Sequence, residues 1–212
     1  MNAAFFDFDG TLIESRADLA AAVNHTRRDY GLSEIPEKDV VANIGSGARY
    51  LLENSIPELA GRFEEVYPRY LENYAAHMFD NVSLYPGVRQ TLEELANRGW
   101  GLGIVTNKPS FATRQILKHL DIAQFFGDSV VGSDDCDELK PSIKPLQEAA
   151  RRLNGHVLSE NDWMVGDNWT DLDCGNSAHI NTAFCGWGFG FLKDRHYTVR
   201  IESFCELLNL CK

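Results

Sequence analysis

Residues 3–12 read Ala-Ala-Phe-Phe-Asp-Phe-Asp-Gly-Thr-Leu, a short apolar run that passes into two aspartates and a glycine. Runs of this kind are typical of strands buried on both faces of a parallel sheet, and Gly10 marks the turn that follows. Asp7 and Asp9 then stand at the carboxyl end of the strand. If strand geometry continued through them, their side chains would point the same way. We therefore expect an acidic pair at the edge of a buried sheet.

Four further apolar runs resemble the first, and each is followed by polar residues or glycine. They cover residues 102–105, 129–131, 163–165 and 182–185. Helical patterns lie between these runs, at residues 86–98, 110–120 and 144–154. Strands that alternate with helices predict a parallel α/β sheet.

Residues 16–84 interrupt this alternation. They read as one helix after another, at residues 17–30, 40–54 and 60–77, without a convincing strand. We interpret the segment as a helical subdomain inserted between the first and second strands. The core then consists of residues 1–15 and 85–212.

The polar residues of interest follow the strand ends. In open parallel sheets, ligands bind beyond the carboxyl ends of the strands. The residues at or just past such ends, or in the loop after one, are Asp7, Asp9, Thr106, Asn107, Lys140, Asp167 and Asp171. Their convergence on one edge predicts a functional site there.

The aspartates predict a metal site. Neighbouring carboxylates are costly to bury without a cation, and Mg²⁺ prefers oxygen ligands. We expect Asp7, Asp9 and Asp167 to form this site, in a cluster of four carboxylates completed by Asp171. Asp171 either supports the waters of the metal or pairs with Lys140. Taken alone, Asp171 reads equally well as a helix cap.

The same residues are suited to phosphoryl transfer. This reaction needs a nucleophile, a proton donor for the leaving alcohol, and positive charge around the phosphate oxygens. Asp7 is the candidate nucleophile, and Asp9 is the candidate acid and base.

The phosphate oxygens need partners of their own. The Thr106 hydroxyl and the Asn107 backbone N–H are candidate donors, and the positive end of the following helix would point the same way. Lys140 is the candidate fixed charge, with Lys144 as its competitor on the residues alone.

Four segments resemble, in order, the four motifs of the haloacid dehalogenase superfamily in its phosphatase form. They are Asp7-Phe8-Asp9-Gly10-Thr11-Leu12, Val105-Thr106-Asn107-Lys108-Pro109, Leu139-Lys140-Pro141, and residues 165–171 with Asp167 and Asp171. The resemblance implies a Rossmann-like core with a helical cap at residues 16–84. It also implies Asp7 as nucleophile, Asp9 as acid and base, and Lys140 rather than Lys144 as the lysine of the site. Magnesium would be held by Asp7, Asp167 and the backbone carbonyl of Asp9.

Within the superfamily the chain is most similar to phosphoglycolate phosphatases. The similarity lies in residues 18–24, the glycine-bearing stretch 44–48, and residues 85–88. It implies 2-phosphoglycolate as the favoured substrate.

Several residues are candidates for contact with that substrate. We expect Gly10, Thr11 and Asn107 to do so in the core. Arg49 would reach the carboxylate of an acid such as phosphoglycolate, although a solvated helix residue is the simpler interpretation.

Three alternatives share much of this pattern. A phosphomutase of the β-phosphoglucomutase type would keep the phosphoenzyme for transfer to a sugar. A pyrophosphatase or a broad sugar phosphatase would differ only in contacts from the cap. A non-catalytic interaction protein on this fold would be expected to lack Asp7 or Asp9, and both are present.

Composition limits the partners and the compartment. The formal net charge of -11 argues against general binding to nucleic acid or to anionic membranes. The five cysteines form no CxxC pair, which suits a reducing compartment. Neither a signal peptide nor a membrane-spanning stretch is recognisable. We expect a cytoplasmic monomer or homodimer that acts on a small phosphorylated metabolite.

Overall fold

Six strands form a parallel sheet in the computed structural model, which describes residues 1–212. All eight strands of the chain are, in order, β1 (Ala3–Phe6), β2 (Ile13–Glu14), β3 (Ser83–Leu84), β4 (Gly101–Val105), β5 (Val130–Val131), β6 (Trp163–Gly166), β7 (Asn181–Cys185) and β8 (Val199–Ile201). Strands β2 and β3 form a separate two-stranded sheet. The order within the large sheet is β5-β4-β1-β6-β7-β8. The predicted parallel α/β sheet is therefore confirmed.

Strand β1 occupies a central position, which explains its continuous apolar sequence. It pairs in parallel with β4 on one side and with β6 on the other, and all four of its residues are buried. Gly103 lies opposite Phe5, and a Cβ at Gly103 would lie 2.7 Å from the Phe5 ring. The glycine at this position makes room for the aromatic side chain.

The helices lie between and after these strands. They are α1 (Arg16–Asp29), α2 (Glu37–Val41), α3 (Ala48–Ser55), α4 (Phe63–His77), α5 (Val88–Asn97), α6 (Ser110–His119), α7 (Lys144–Arg152), α8 (Trp169–Ser177) and α9 (Leu207–Leu210). No helix of the chain combines the length and the apolar character needed to cross a membrane.

The chain divides into two compact units. A core unit comprises Met1–Glu14 and Leu84–Lys212, and a helical unit comprises Ser15–Ser83. The large sheet belongs to the core unit. Helices α1 to α4 belong to the helical unit, where α1 packs against α4.

One predicted helix of the helical unit is wrong. Residues 40–54 form no single helix, because α2 ends at Val41 and α3 begins at Ala48. Gly45 and Gly47 lie between them with φ of 103° and 90°, a backbone region that is favourable for glycine alone. The buried Arg27 holds the far end of α3, since its guanidinium donates to the Ser55 carbonyl at 2.7 Å.

The sequence pattern did not predict strand β8. It is only three residues long and pairs in parallel with β7 at the edge of the sheet. Arg200 in its middle is exposed, so the strand contains no apolar run. Short edge strands lack the pattern that identifies buried ones.

Candidate active site

The strands place the first site residues directly. The backbone N–H of Asp7 donates to the Val165 carbonyl at 2.9 Å, which carries the pairing of β1 with β6 one residue past the strand. The N–H of Thr106 likewise donates to the Val131 carbonyl at 3.0 Å. Asp167 follows the last residue of β6. These residues therefore meet at the carboxyl edge of the sheet.

Three carboxylates form a buried cluster at this edge. One oxygen each of Asp7, Asp167 and Asp171 lies within 4.8 Å of the others. Asp7 is 7% exposed, Asp167 is 2% exposed and Asp171 is fully buried. Since buried carboxylates are costly unless they are paired, the cluster requires positive charge.

Lys140 supplies part of that charge. Its ammonium lies 2.7 Å from Asp7 Oδ1 and 2.7 Å from Asp171 Oδ1, and it donates to the Val105 carbonyl at 2.5 Å. The Asn107 side chain fixes the backbone of Lys140 by a reciprocal pair of hydrogen bonds. Asn107 Oδ1 accepts from the Lys140 N–H at 2.9 Å, and Asn107 Nδ2 donates to the Lys140 carbonyl at 3.0 Å.

The competing lysine lies elsewhere. Lys144 begins α7, is half exposed and forms an ion pair with Glu138 on the surface. Of the two lysines that the residues alone left open, Lys140 is the one that contacts the carboxylate cluster.

The electrostatics of the cluster favour an additional cation. Burial raises the pKa of Asp167, and the charges of Asp7 and Asp171 raise it further, although two backbone N–H groups oppose them. Burial also raises the pKa of Asp171 to about 7, against the influence of Lys140. Burial alone would lower the pKa of Lys140, but Asp171 and Asp7 outweigh it and hold that pKa above its ordinary value. The cluster thus holds three carboxylates but one ammonium, which contacts only Asp7 and Asp171.

The donor set fits a divalent metal ion. Its ligands would be carboxylate oxygens, which hard cations prefer. Burial makes the charged form of Asp167 unfavourable, and a bound cation would balance that charge. Asp7 follows the last residue of β1, and Asp167 follows the last residue of β6. Since these two strands pair in parallel, the sheet fixes the backbone of both aspartates.

Asp9 does not belong to this cluster, so the predicted group of four carboxylates is wrong. Strand β1 ends at Phe6, and the chain then turns so that the backbone N–H groups of Leu12 and Ile13 donate to the Phe8 carbonyl at 3.0 and 3.1 Å. The two aspartates are therefore no longer related by strand geometry. The Asp9 side chain instead contacts the Lys108 ammonium, at 2.9 Å from Oδ1 and 3.0 Å from Oδ2.

A glycine-rich loop after β7 holds Asp167. The backbone N–H groups of Phe189 and Gly190 donate to Asp167 Oδ2 at 2.9 and 2.8 Å. A Cβ at Gly188 would lie 2.2 Å from the Asp167 Cβ, and a Cβ at Gly10 would lie 2.1 Å from Asp167 Oδ2. Glycine is therefore required at both positions by close approach to one carboxylate. Sequence reasoning identified Gly10 but missed this loop.

Asp171 combines the two roles that its sequence context left open. Asn168 caps α8 by accepting from the Thr170 N–H at 3.3 Å, and the Asn168 N–H donates to Asp171 Oδ2 at 2.9 Å. The other oxygen, Oδ1, contacts Lys140. Asp171 therefore anchors both the helix and the lysine of the site.

The remaining predicted residues lie in two places. Thr106 is buried in the core unit, and its hydroxyl oxygen accepts from the Lys108 N–H at 3.2 Å. Thr11 is fully buried there, and its carbonyl accepts from the Trp187 indole N–H at 3.3 Å.

Arg49 lies in the helical unit. Its guanidinium forms ion pairs with Glu53 and Glu64, at 3.3 and 2.8 Å, and lies 3.7 Å above the Phe63 ring. Its predicted contact with substrate stays a prediction.

Comparison with known proteins identifies related chains. The family model described as haloacid dehalogenase-like hydrolase matches residues 4–185. A phosphoglycolate phosphatase of Aquifex aeolicus is 34% identical over 193 residues, which cover 89% of this chain and 86% of that protein. The pyrophosphatase PpaX of Oceanobacillus iheyensis is 31% identical over 216 residues, which cover 97% of this chain and 94% of that protein.

A solved structure shares the fold. The crystal structure of a predicted phosphoglycolate phosphatase from Haemophilus somnus superposes with a TM-score of 0.84 at 24% identity. The match covers 100% of this chain and 98% of that one. At this identity the likeness establishes the fold.

Proposed function

The chain belongs to the haloacid dehalogenase-like hydrolases and is a phosphatase, and we propose that it uses magnesium to hydrolyse a small phosphate monoester through an aspartyl-phosphate on Asp7. One observation carries the proposal. The Asp7 carboxylate is nearly buried beside Lys140 and next to two further carboxylates. A nucleophile in such a setting has a cation to face the phosphate and little bulk water to compete with it.

The reaction divides into two steps. An oxygen of Asp7 attacks phosphorus, the bond from phosphorus to the ester oxygen breaks, and a proton from the Asp9 carboxyl goes to the leaving oxygen. Water then attacks the phosphorus of the aspartyl-phosphate while the Asp9 carboxylate takes its proton. Inorganic phosphate leaves, and Asp7 returns to its starting form.

Fixed donors stabilise the charge that gathers on the phosphate. In this proposal Lys140, the Thr106 hydroxyl and the backbone N–H of Asn107 face the phosphate oxygens, with Gly10 and Thr11 alongside. Asp171 keeps Lys140 in place. Magnesium held by Asp7, Asp167 and the backbone carbonyl of Asp9 would supply further positive charge next to these oxygens.

The relatives support two candidate substrates. The Aquifex aeolicus relative is a phosphoglycolate phosphatase, and it supports 2-phosphoglycolate as the favoured substrate. The Oceanobacillus iheyensis relative is a pyrophosphatase and supports pyrophosphate as the second candidate. A mutase or a broad sugar phosphatase would use the same aspartates. A sugar phosphatase would differ in the leaving group, and a mutase would differ in the acceptor, since it transfers the phosphoryl group to a sugar rather than to water.

The compartment, the partner and the oligomeric state of the enzyme are also part of the proposal. All five cysteines are free thiols, which agrees with a reducing cytoplasm. The net charge of -11 argues for a small metabolite rather than nucleic acid or a membrane surface as the partner. We propose a monomer or homodimer.

Phosphate release from a panel of esters tests this function. The panel contains 2-phosphoglycolate, pyrophosphate, sugar phosphates and p-nitrophenyl phosphate, each assayed with magnesium and with excess chelator. We expect release that depends on magnesium and is fastest with 2-phosphoglycolate. Release at equal rates from all esters of the panel would contradict 2-phosphoglycolate as the favoured substrate. Release that persists in excess chelator would contradict the requirement for magnesium.

Arg49 is proposed to contact the substrate carboxylate. Replacement by alanine is then expected to raise the Michaelis constant for 2-phosphoglycolate about tenfold and to leave that for p-nitrophenyl phosphate almost unchanged, because a bidentate arginine contact is lost only with the carboxylated ester. Arg62→Ala is the matched control, since Arg62 is an exposed arginine of the same unit that pairs with Glu65. An unchanged Michaelis constant for both esters would exclude the contact.

A further inference from the structure

A second lysine of the core unit is buried against the proposed acid and base. Lys108 is 6% exposed, and its ammonium contacts both oxygens of the Asp9 carboxylate, at 2.9 and 3.0 Å. Lys140 contacts Asp7 and Asp171 instead. The two lysines therefore serve different aspartates, one beside the nucleophile and one beside the acid and base.

The backbone of Lys108 is held on both sides. Its N–H donates to the Thr106 hydroxyl oxygen at 3.2 Å, and its carbonyl accepts from the Ser133 N–H at 2.9 Å. Gly132 packs directly against this turn, since a Cβ there would lie 2.7 Å from the Lys108 carbonyl oxygen. The Lys108 side chain is only 4% exposed as well, so the surrounding protein leaves its ammonium little freedom to move.

The ion pair restricts Asp9 in a way that one hydrogen bond would not. An ammonium shared by both oxygens of a carboxylate fixes the rotation of the side chain as well as its distance. Asp9 lies beyond the end of β1, in an isolated bridge with Ile13, and a backbone bridge does not fix the rotation of the side chain. A general acid must lie within hydrogen-bond reach of the leaving oxygen, and a displacement of about 1 Å can cost roughly 100-fold in rate.

We propose that Lys108 is a positioning residue for Asp9. In the acid form, one Asp9 oxygen keeps its contact with the Lys108 ammonium, and the other carries the proton that goes to the leaving oxygen. The inference rests on the proposed function, because it requires Asp9 to be the acid. Its consequence depends on the ester. An alkyl oxygen needs a proton as it leaves, whereas p-nitrophenolate departs without one. Loss of Lys108 therefore harms the cleavage of alkyl esters more than the cleavage of p-nitrophenyl phosphate.

The test compares kcat/KM for two esters in four proteins. The esters are p-nitrophenyl phosphate and the alkyl ester of the panel that the wild type cleaves best. The proteins are wild type, Lys108→Met, Asp9→Asn and the double variant. We expect Lys108→Met to lower kcat/KM for the alkyl ester by about 10- to 100-fold, and the ratio of alkyl to aryl kcat/KM to fall at least tenfold. Asp9→Asn shifts the ratio in the same direction, and the double variant is no worse than Asp9→Asn alone.

Two results would overturn the inference. Equal losses with both esters would make Lys108 a phosphate ligand or a structural residue, and additive losses in the double variant would separate it from Asp9. Lys144→Met is the matched control, since Lys144 is an exposed lysine with a surface carboxylate partner. Lys108→Gln, which keeps a hydrogen-bond donor, replaces Lys108→Met if that variant fails to fold. A wild type that cleaves neither ester would instead remove the proposed function.

Discussion

Asp7→Asn is expected to abolish phosphate release while the protein stays folded. The amide has almost the same size as the carboxylate, but it is no nucleophile, so no aspartyl-phosphate forms. We expect kcat to fall by on the order of 10⁴-fold or more, as for other nucleophiles that act together with a dedicated acid and base. Phosphate release from the best ester of the panel, measured beside the circular dichroism spectrum, checks both halves of the prediction.

A buried aspartate outside the site provides the matched control. Asp162 is fully buried, and it accepts hydrogen bonds from the backbone N–H groups of Ala3 and Ser159 at 2.7 and 2.8 Å. Asp162→Asn changes a buried carboxylate in the same way but leaves the reacting atoms alone. Turnover by folded Asp162→Asn together with near wild-type turnover by Asp7→Asn would show that Asp7 is not the nucleophile.

Lys140→Met is expected to lower both activity and stability. It removes the ammonium that lies between Asp7 and Asp171 and leaves two buried carboxylates without their shared partner. Breaking a buried ion pair from one side costs about 3–5 kcal/mol, and we expect a loss of this size in the free energy of unfolding without magnesium. Turnover falls as well, because the fixed charge beside the phosphate is gone. Denaturant unfolding and phosphate release are the two measurements.

Lys144→Met is again the matched control. Lys144→Met removes an ammonium whose partner is exposed, and such a pair contributes less than about 1 kcal/mol. Its activity should match the wild type. If Lys140→Met and Lys144→Met lost the same small amount of stability, the carboxylate cluster would not depend on Lys140.

The strands and the residues that follow them could be predicted because both depend on local sequence. A run such as residues 3–6 must be buried on both faces, and the parallel sheet then brings Asp7, Thr106 and Asp167 to one edge. Local pattern also misled in two places, at the assumed strand geometry of Asp9 and at residues 40–54. Residues 40–54 have helical composition, but Gly45 and Gly47 adopt positive φ and divide the helix.

Most of the contacts that complete the site could not be predicted, because they join distant parts of the chain. The pairing of Asp171 with Lys140 was one of two alternatives that the sequence left open. The residues alone left Lys140 and Lys144 open, and only the reach of one side chain into the cluster distinguishes them. Lys108 contacts Asp9 across 99 positions of sequence. Position 188 requires glycine because its backbone lies directly against the Asp167 side chain. The spacing of the glycines along the sequence does not indicate this contact.

Trapping the phosphoenzyme tests the central claim most directly. Wild-type protein and Asp7→Asn are mixed with magnesium and a substrate labelled with ³²P, quenched in acid within the first turnover, digested and mapped by mass spectrometry. We predict label in the wild type alone, on the peptide that contains Asp7, in a linkage that hydroxylamine cleaves as it cleaves other acyl phosphates. Label on a different residue, or rapid turnover without any labelled peptide, would contradict an aspartyl-phosphate on Asp7.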